Sequence, residues 1–147
     1  LPAIRVLSLR ERALFLAQFT VSASSHLFPI SQEIRMATPL FDASSPQFAA
    51  LLAACPVVPG ATVSKPLLNR PEGKVVLFAM DAGQEISEHR APFVSTVHIL
   101  DGRLKFGVQG EVRDMRAHDW LVMPADAPHH LSAVEPTRFL LTLFKRP

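Results

Sequence analysis

The sequence predicts an all-β domain preceded by a short helical segment, on three observations. From Pro59 onward, turn-forming residues recur about every eight to twelve positions: Pro59-Gly60, Pro71-Glu72-Gly73, Ala82-Gly83, Asp101-Gly102, Gln109-Gly110, Pro124, Pro128 and Pro136. Apolar runs of strand length lie between them: TVSKPLLN, KVVLFAMD, FVSTVHIL, RLKFGV, DWLVMP and TRFLLTLF. Asp101-Gly102, flanked by two such runs, is the strongest short-range hairpin signal in the chain. Many short strands joined by turns imply a sandwich or a barrel.

Each segment has its own reasons. Residues 1–35 read as a leader or N-terminal extension. LRERALFLAQFTVSASSH resembles a charged stretch, an apolar run and a small-residue site, but Gln18 and Thr20 interrupt the run. An amphipathic helix over residues 9–19, with Leu9, Ala13, Leu16 and Phe19 on one stripe, is the preferred reading. A chain begun at Met36 is expected to fold without them. Residues 36–58 read as a short helix and linker. Ser44 or Ser45 can cap a helix with Pro46 in its first turn, and the apolar run from Phe48 to Cys55 stops at Pro56. Residues 59–147 carry the strands. In RLKFGV, Leu104, Phe106 and Val108 should face in, while Arg103 and Lys105 face out. TRFLLTLF is apolar on both faces, so its outer face should pack against the helix or another subunit.

Composition removes several functions. The chain has 147 residues, 48% of them hydrophobic, which suffices for one domain with a real core. No run approaches the ~18 apolar residues of a membrane span, so a soluble protein without a membrane partner is expected, and a cytoplasmic location is the preferred reading. The formal charge of +2 resides in the first 35 residues, where four arginines face two glutamates, leaving eleven basic and eleven acidic side chains elsewhere. A neutral globular part without a basic stripe argues against nucleic acid. The single Cys55 reads as a small buried residue. No nucleophile elbow, phosphate-cradling glycine loop or dinucleotide fingerprint occurs, so no nucleotide cofactor is expected.

Two stretches resemble a known family. GQEISEHRAPFVSTVHILDG, from Gly83 to Gly102, is similar to the first motif of the cupins, and HDWLVMPADAPHH is similar to the second. In the second, His118 and Asp126 stand where the family has glycines, Pro124 at the proline and His129 at the histidine. The resemblance covers residues 60–145. It implies a small antiparallel jelly-roll barrel with a pocket that often holds a divalent transition metal.

The resemblance also implies a reduced ligand set. His89 matches the first metal-ligating histidine and His129 the last, while Ala91 stands at the second histidine and Ser95 at the glutamate. His89 and His129 are therefore the candidate metal residues. Two imidazoles without a carboxylate should bind metal weakly. His98, three positions beyond Ser95, should face the opposite side of its strand, and His130 has the wrong parity beside His129. His118 belongs to a turn, and His26 lies in the leader. Glu85 and Ser87 share the parity of His89, so Glu85 becomes a third ligand only on a regular strand; a solvated carboxylate is preferred. Glu88 reads as surface charge.

Three functions follow as expectations. The preferred one is a pocket binding a small-molecule ligand, with or without a weak metal site at His89 and His129. Without metal the pair would bond each other, a water or a carbonyl, or orient a ligand against Val97 and Met123. The second is a metal-dependent dioxygenase- or isomerase-like cupin. The third is a non-catalytic interaction module. A homodimer is compatible with all three.

Overall fold

A computed structural model describes residues 5–6 and 37–145. The predicted leader helix, His26 and Met36 lie outside the described residues. The chain forms two antiparallel sheets facing each other, and the predicted jelly-roll barrel is what is observed. Its strands are β1 (Arg5–Val6), β2 (Thr62–Asn69), β3 (Gly73–Met80), β4 (Glu85–His89), β5 (Val94–Asp101), β6 (Arg103–Val108), β7 (Glu111–Arg116), β8 (Trp120–Met123), β9 (His129–Ala133) and β10 (Thr137–Phe144), with one helix, α1 (Leu51–Ala54). One sheet has the order β1-β2-β3-β10-β5-β8 and the other β4-β9-β6-β7.

Alternation builds the core between the sheets. Leu104 and Phe106 on β6 are fully buried, whereas Lys105 between them is exposed, as their parity predicts. They meet Phe78 and Met80 of β3, Val97 and Ile99 of β5, and Phe139 of β10 in one cluster. A second cluster covers the other face of the larger sheet, where Cys55, Val63, Leu67 and Leu77 are packed by Leu40, Phe41, Leu51 and Leu140. The outer face of β10 therefore packs beneath the helix at Leu140, although Phe144 at its end is exposed.

The helix is shorter than its sequence promised. It spans Leu51–Ala54 and has Ala50 as its N-cap, with no side-chain cap. Ser44 instead spends its hydroxyl and its backbone N–H on the Asp42 carboxylate. Local side-chain bonding of this kind competes with helix formation. The carbonyls of α1 find partners in the barrel: Arg138 donates to the Leu52 carbonyl at 2.8 Å and Lys65 to that of Ala54 at 3.2 Å.

Asp101-Gly102 does not form a hairpin. β5 pairs with β10 and β8, while β6 pairs with β7 and β9, so the chain crosses from one sheet to the other at this corner. Gly102 has φ +81°, and the Asp101 carboxylate is engaged by the Arg138 guanidinium of β10. The tight hairpin lies one turn later. Gln109 and Gly110 both have positive φ, the signature of a type I′ turn, and join β6 to β7.

Candidate functional site

β4 and β9 lie side by side in the smaller sheet, and His89 pairs directly with His129 in their register. The two imidazoles are 4.1 Å apart between centroids, inclined at 62°. They are neighbours on one sheet, looking into the barrel together. A bulge brings this about. Ile86 pairs with Leu131, and the next pair is His89 with His129, so three steps on β4 span two on β9. The extra residue cancels the parity of an ordinary strand, and Ile86 and His89 both face inward. Glu85, which would have shared the parity of His89 on a regular strand, is exposed.

The loop before β9 sets the second ring. Asp126 has φ +61°, and its N–H donates to the Ala91 carbonyl at 2.7 Å, while Arg90 donates to the Asp126 carbonyl at 2.8 Å. His118, at the other motif position, has φ +74°. Both positions keep the left-handed backbone that suits glycine although neither is glycine, and aspartate tolerates it better than most residues. These contacts clamp residues 124–128 to the segment that follows His89.

Each ring is fixed in one tautomer. His89 Nδ1 lies 2.7 Å from the Ser87 carbonyl, and His129 Nδ1 lies 2.8 Å from that of Ala127. A carbonyl only accepts, so Nδ1 of each ring carries the proton and donates it. Nε2 of each neutral imidazole is left with its lone pair. Burial lowers the pKa of both from the ordinary 6.5, partly opposed by those carbonyl hydrogen bonds. His129 also stacks on Phe106, with centroids 6.2 Å apart and planes within 11°.

The depressed values have a consequence for stability. An imidazole that protonates less readily in the folded chain contributes stability that is fully present above pH ~6.5 and lost as pH falls through the lower folded values. One proton changes stability by at most about 1.4 kcal/mol per pH unit, so the pair changes it by at most ~2.8 kcal/mol per unit in that window. Urea unfolding at pH 7.5 and pH 5 should show a smaller acid loss in the His89→Gln/His129→Gln variant than in the unaltered chain. Equal losses would show that the pair remains readily protonated when folded.

The remaining walls are apolar. Phe78, Ile86, Val97, Phe106, Met123 and Phe139 line the pocket with Ala91 and Ser95, and about 30 Å³ is open to the centres of water molecules. Ala91 offers a methyl group where the resemblance implies a histidine. Ser95, at the implied glutamate, is buried and donates its hydroxyl to the Phe93 carbonyl at 3.1 Å. Among the described residues no group of three or more His, Cys, Asp or Glu is placed to hold a metal ion. Two imidazole nitrogens alone do not fit a resident divalent metal, which usually needs at least three protein donors.

The other histidines face elsewhere. His98 sits between Trp120 and Leu140 in the register of the larger sheet and is half-buried, three positions out of phase with the pocket residue Ser95. His130 pairs with Gly107, and its ring occupies the space above that residue: a Cβ there would lie 2.1 Å from the imidazole Cε1. His118 is exposed in its turn.

The family model described as the cupin domain matches residues 76–143, which contain both rings and most of the barrel. That match and the cupin structures sharing this fold support a cupin superfamily domain. Three solved structures give its surroundings. A conserved protein of unknown function from Streptococcus pyogenes is 27% identical, with a TM-score of 0.67 over 75% of this chain and 96% of that one. A candidate mannose-6-phosphate isomerase from Ralstonia eutropha JMP134 is 27% identical, with a TM-score of 0.61 over 69% and 100%. A cupin superfamily protein from Desulfitobacterium hafniense DCB-2 shares the fold at 18% identity, with a TM-score of 0.64 over 69% and 94%. Among curated proteins nothing matches. Among the described residues no helix is long and apolar enough to cross a membrane.

Proposed function

We propose that the barrel is a binding module for a small molecule, held by His89 and His129. One observation carries this reading: two neighbouring imidazoles donate Nδ1–H to backbone carbonyls two residues earlier in the chain and keep both Nε2 lone pairs, within an apolar pocket. Such a pair is pre-oriented, so a ligand would spend little free energy ordering it. Polar anchors in an apolar wall are the usual composition of a small-molecule site. The isomerase-like relative suggests a phosphorylated sugar as an alternative, but among the described residues no cationic side chain lines this pocket to receive a phosphate.

A weak divalent metal at His89 and His129 is the competing reading, with the metal-dependent enzyme beyond it. Its support is the free nitrogen on each ring; its difficulty is the methyl and the engaged hydroxyl at Ala91 and Ser95. We further propose a cytoplasmic homodimer. Trp120 and Val122 are exposed on β8, the edge strand of the larger sheet, near exposed Val94 and Phe144, and a second copy of the chain would cover them.

Metal analysis of protein purified under controlled supply, compared with His89→Ala, tests the main reading. The expected result is metal well below one equivalent in both. A full equivalent of metal that disappears in His89→Ala would replace the proposal with the metal-dependent one.

A further inference from the structure

We infer that this pocket selects the hydroxyl-bearing end of a small neutral ligand and rejects anions. The inference rests on the binding reading above and adds the chemical class of what is bound. It comes from the polar atoms that the pocket presents. His89 and His129 each offer Nε2 as an acceptor, because Nδ1 of each is spent on a carbonyl. Ser95 gives its only hydroxyl proton to the Phe93 carbonyl, leaving lone pairs. Among the described residues every other side chain lining the pocket is apolar, with the Met123 sulfur at most a weak acceptor. The side-chain chemistry of the wall is thus acceptor-only.

An acceptor-only wall discriminates by sign. A ligand O–H can donate to either ring, and rings with centroids 4.1 Å apart bring two acceptors within reach of hydroxyls on adjacent carbons. An ether of the same size has no proton to give, and it would displace water from both nitrogens without replacing the hydrogen bonds. A carboxylate or phosphate fares worse, since it meets lone pairs and, among the described residues, no lining cation. A cation is also disfavoured, because among the described residues no carboxylate lines the pocket. The narrow interior admits a ligand's tip and leaves a larger body at the mouth.

Three probes of similar size separate these cases: 1,2-propanediol with two O–H donors, 1,2-dimethoxyethane with none, and propionate with a carboxylate and no O–H. Each is titrated at pH 8 into the full chain while the imidazole resonances of His89 and His129 are followed by NMR, with His129→Ala as the comparison. Saturable shifts with the diol are expected, at least tenfold weaker responses with the ether and propionate, and loss of the diol response at His89 in His129→Ala. Propionate or the ether binding as tightly as the diol would overturn the donor rule while leaving the binding reading in place. Absence of saturable shifts from all three probes would overturn the inference together with the binding reading on which it rests.

Discussion

Gly102→Ala should destabilise the fold by about 2–5 kcal/mol, combining the ~1–2 kcal/mol left-handed penalty for a residue with a Cβ with about 1–3 kcal/mol of overpacking. Gly102 turns the chain from the larger sheet to the smaller at φ +81°. An added Cβ would lie 2.2 Å from the Pro136 carbonyl oxygen and 2.6 Å from the Thr137 Cα. Those are backbone atoms, and the Thr137 hydroxyl is already engaged: it accepts from the Arg103 N–H at 2.8 Å and lies 2.7 Å from the Glu135 carbonyl. Nothing nearby yields easily. Gly60→Ala is the control, since Gly60 has φ +66° and open space around it. Urea unfolding of the two variants separates crowding from backbone strain, and equal costs would show that the corner relaxes freely.

Phe106→Ala should cost about 3–5 kcal/mol, the usual range for truncating a buried aromatic side chain. Phe106 is 1% exposed and lies both in the inter-sheet core and in the pocket wall. Removing its ring joins the pocket to a new apolar void and leaves His129 without its stacked neighbour. An apolar void of that kind takes up small hydrocarbons. Benzene is therefore expected to raise the melting temperature of the variant and leave that of the unaltered chain unchanged. Failure of benzene to do so would mean that the walls collapse into the space.

The strands were most legible where alternation or uniform apolarity extends over a full run. TVSKPLLN, RLKFGV and TRFLLTLF coincide with β2, β6 and β10, because burial on one or both faces leaves a periodic mark. β7 left none. EVRDMR is an edge strand whose residues are exposed except Met115, and its register with β6 holds it where its composition would not. The Asp101-Gly102 signal located a real reversal but named the wrong partner, because two residues state how the chain turns and not which sheet receives it. Pairing His89 with His129 needed only motif spacing. Placing them side by side needed the bulge, and Ser87-Glu88 carries no proline or glycine to announce one. The cost of an open surface at Trp120 and Val122 is equally silent in the sequence, since DWLVMP reads the same whether buried or bare.

The bulge in β4 couples stability to recognition. Ile86 and His89 are an odd number of residues apart, so a straightened strand would have to turn one of them out to water. Substitutions that tighten this edge would then empty either the hydrophobic interior or the histidine pair. Evolution or engineering acting on either property here must move the other with it.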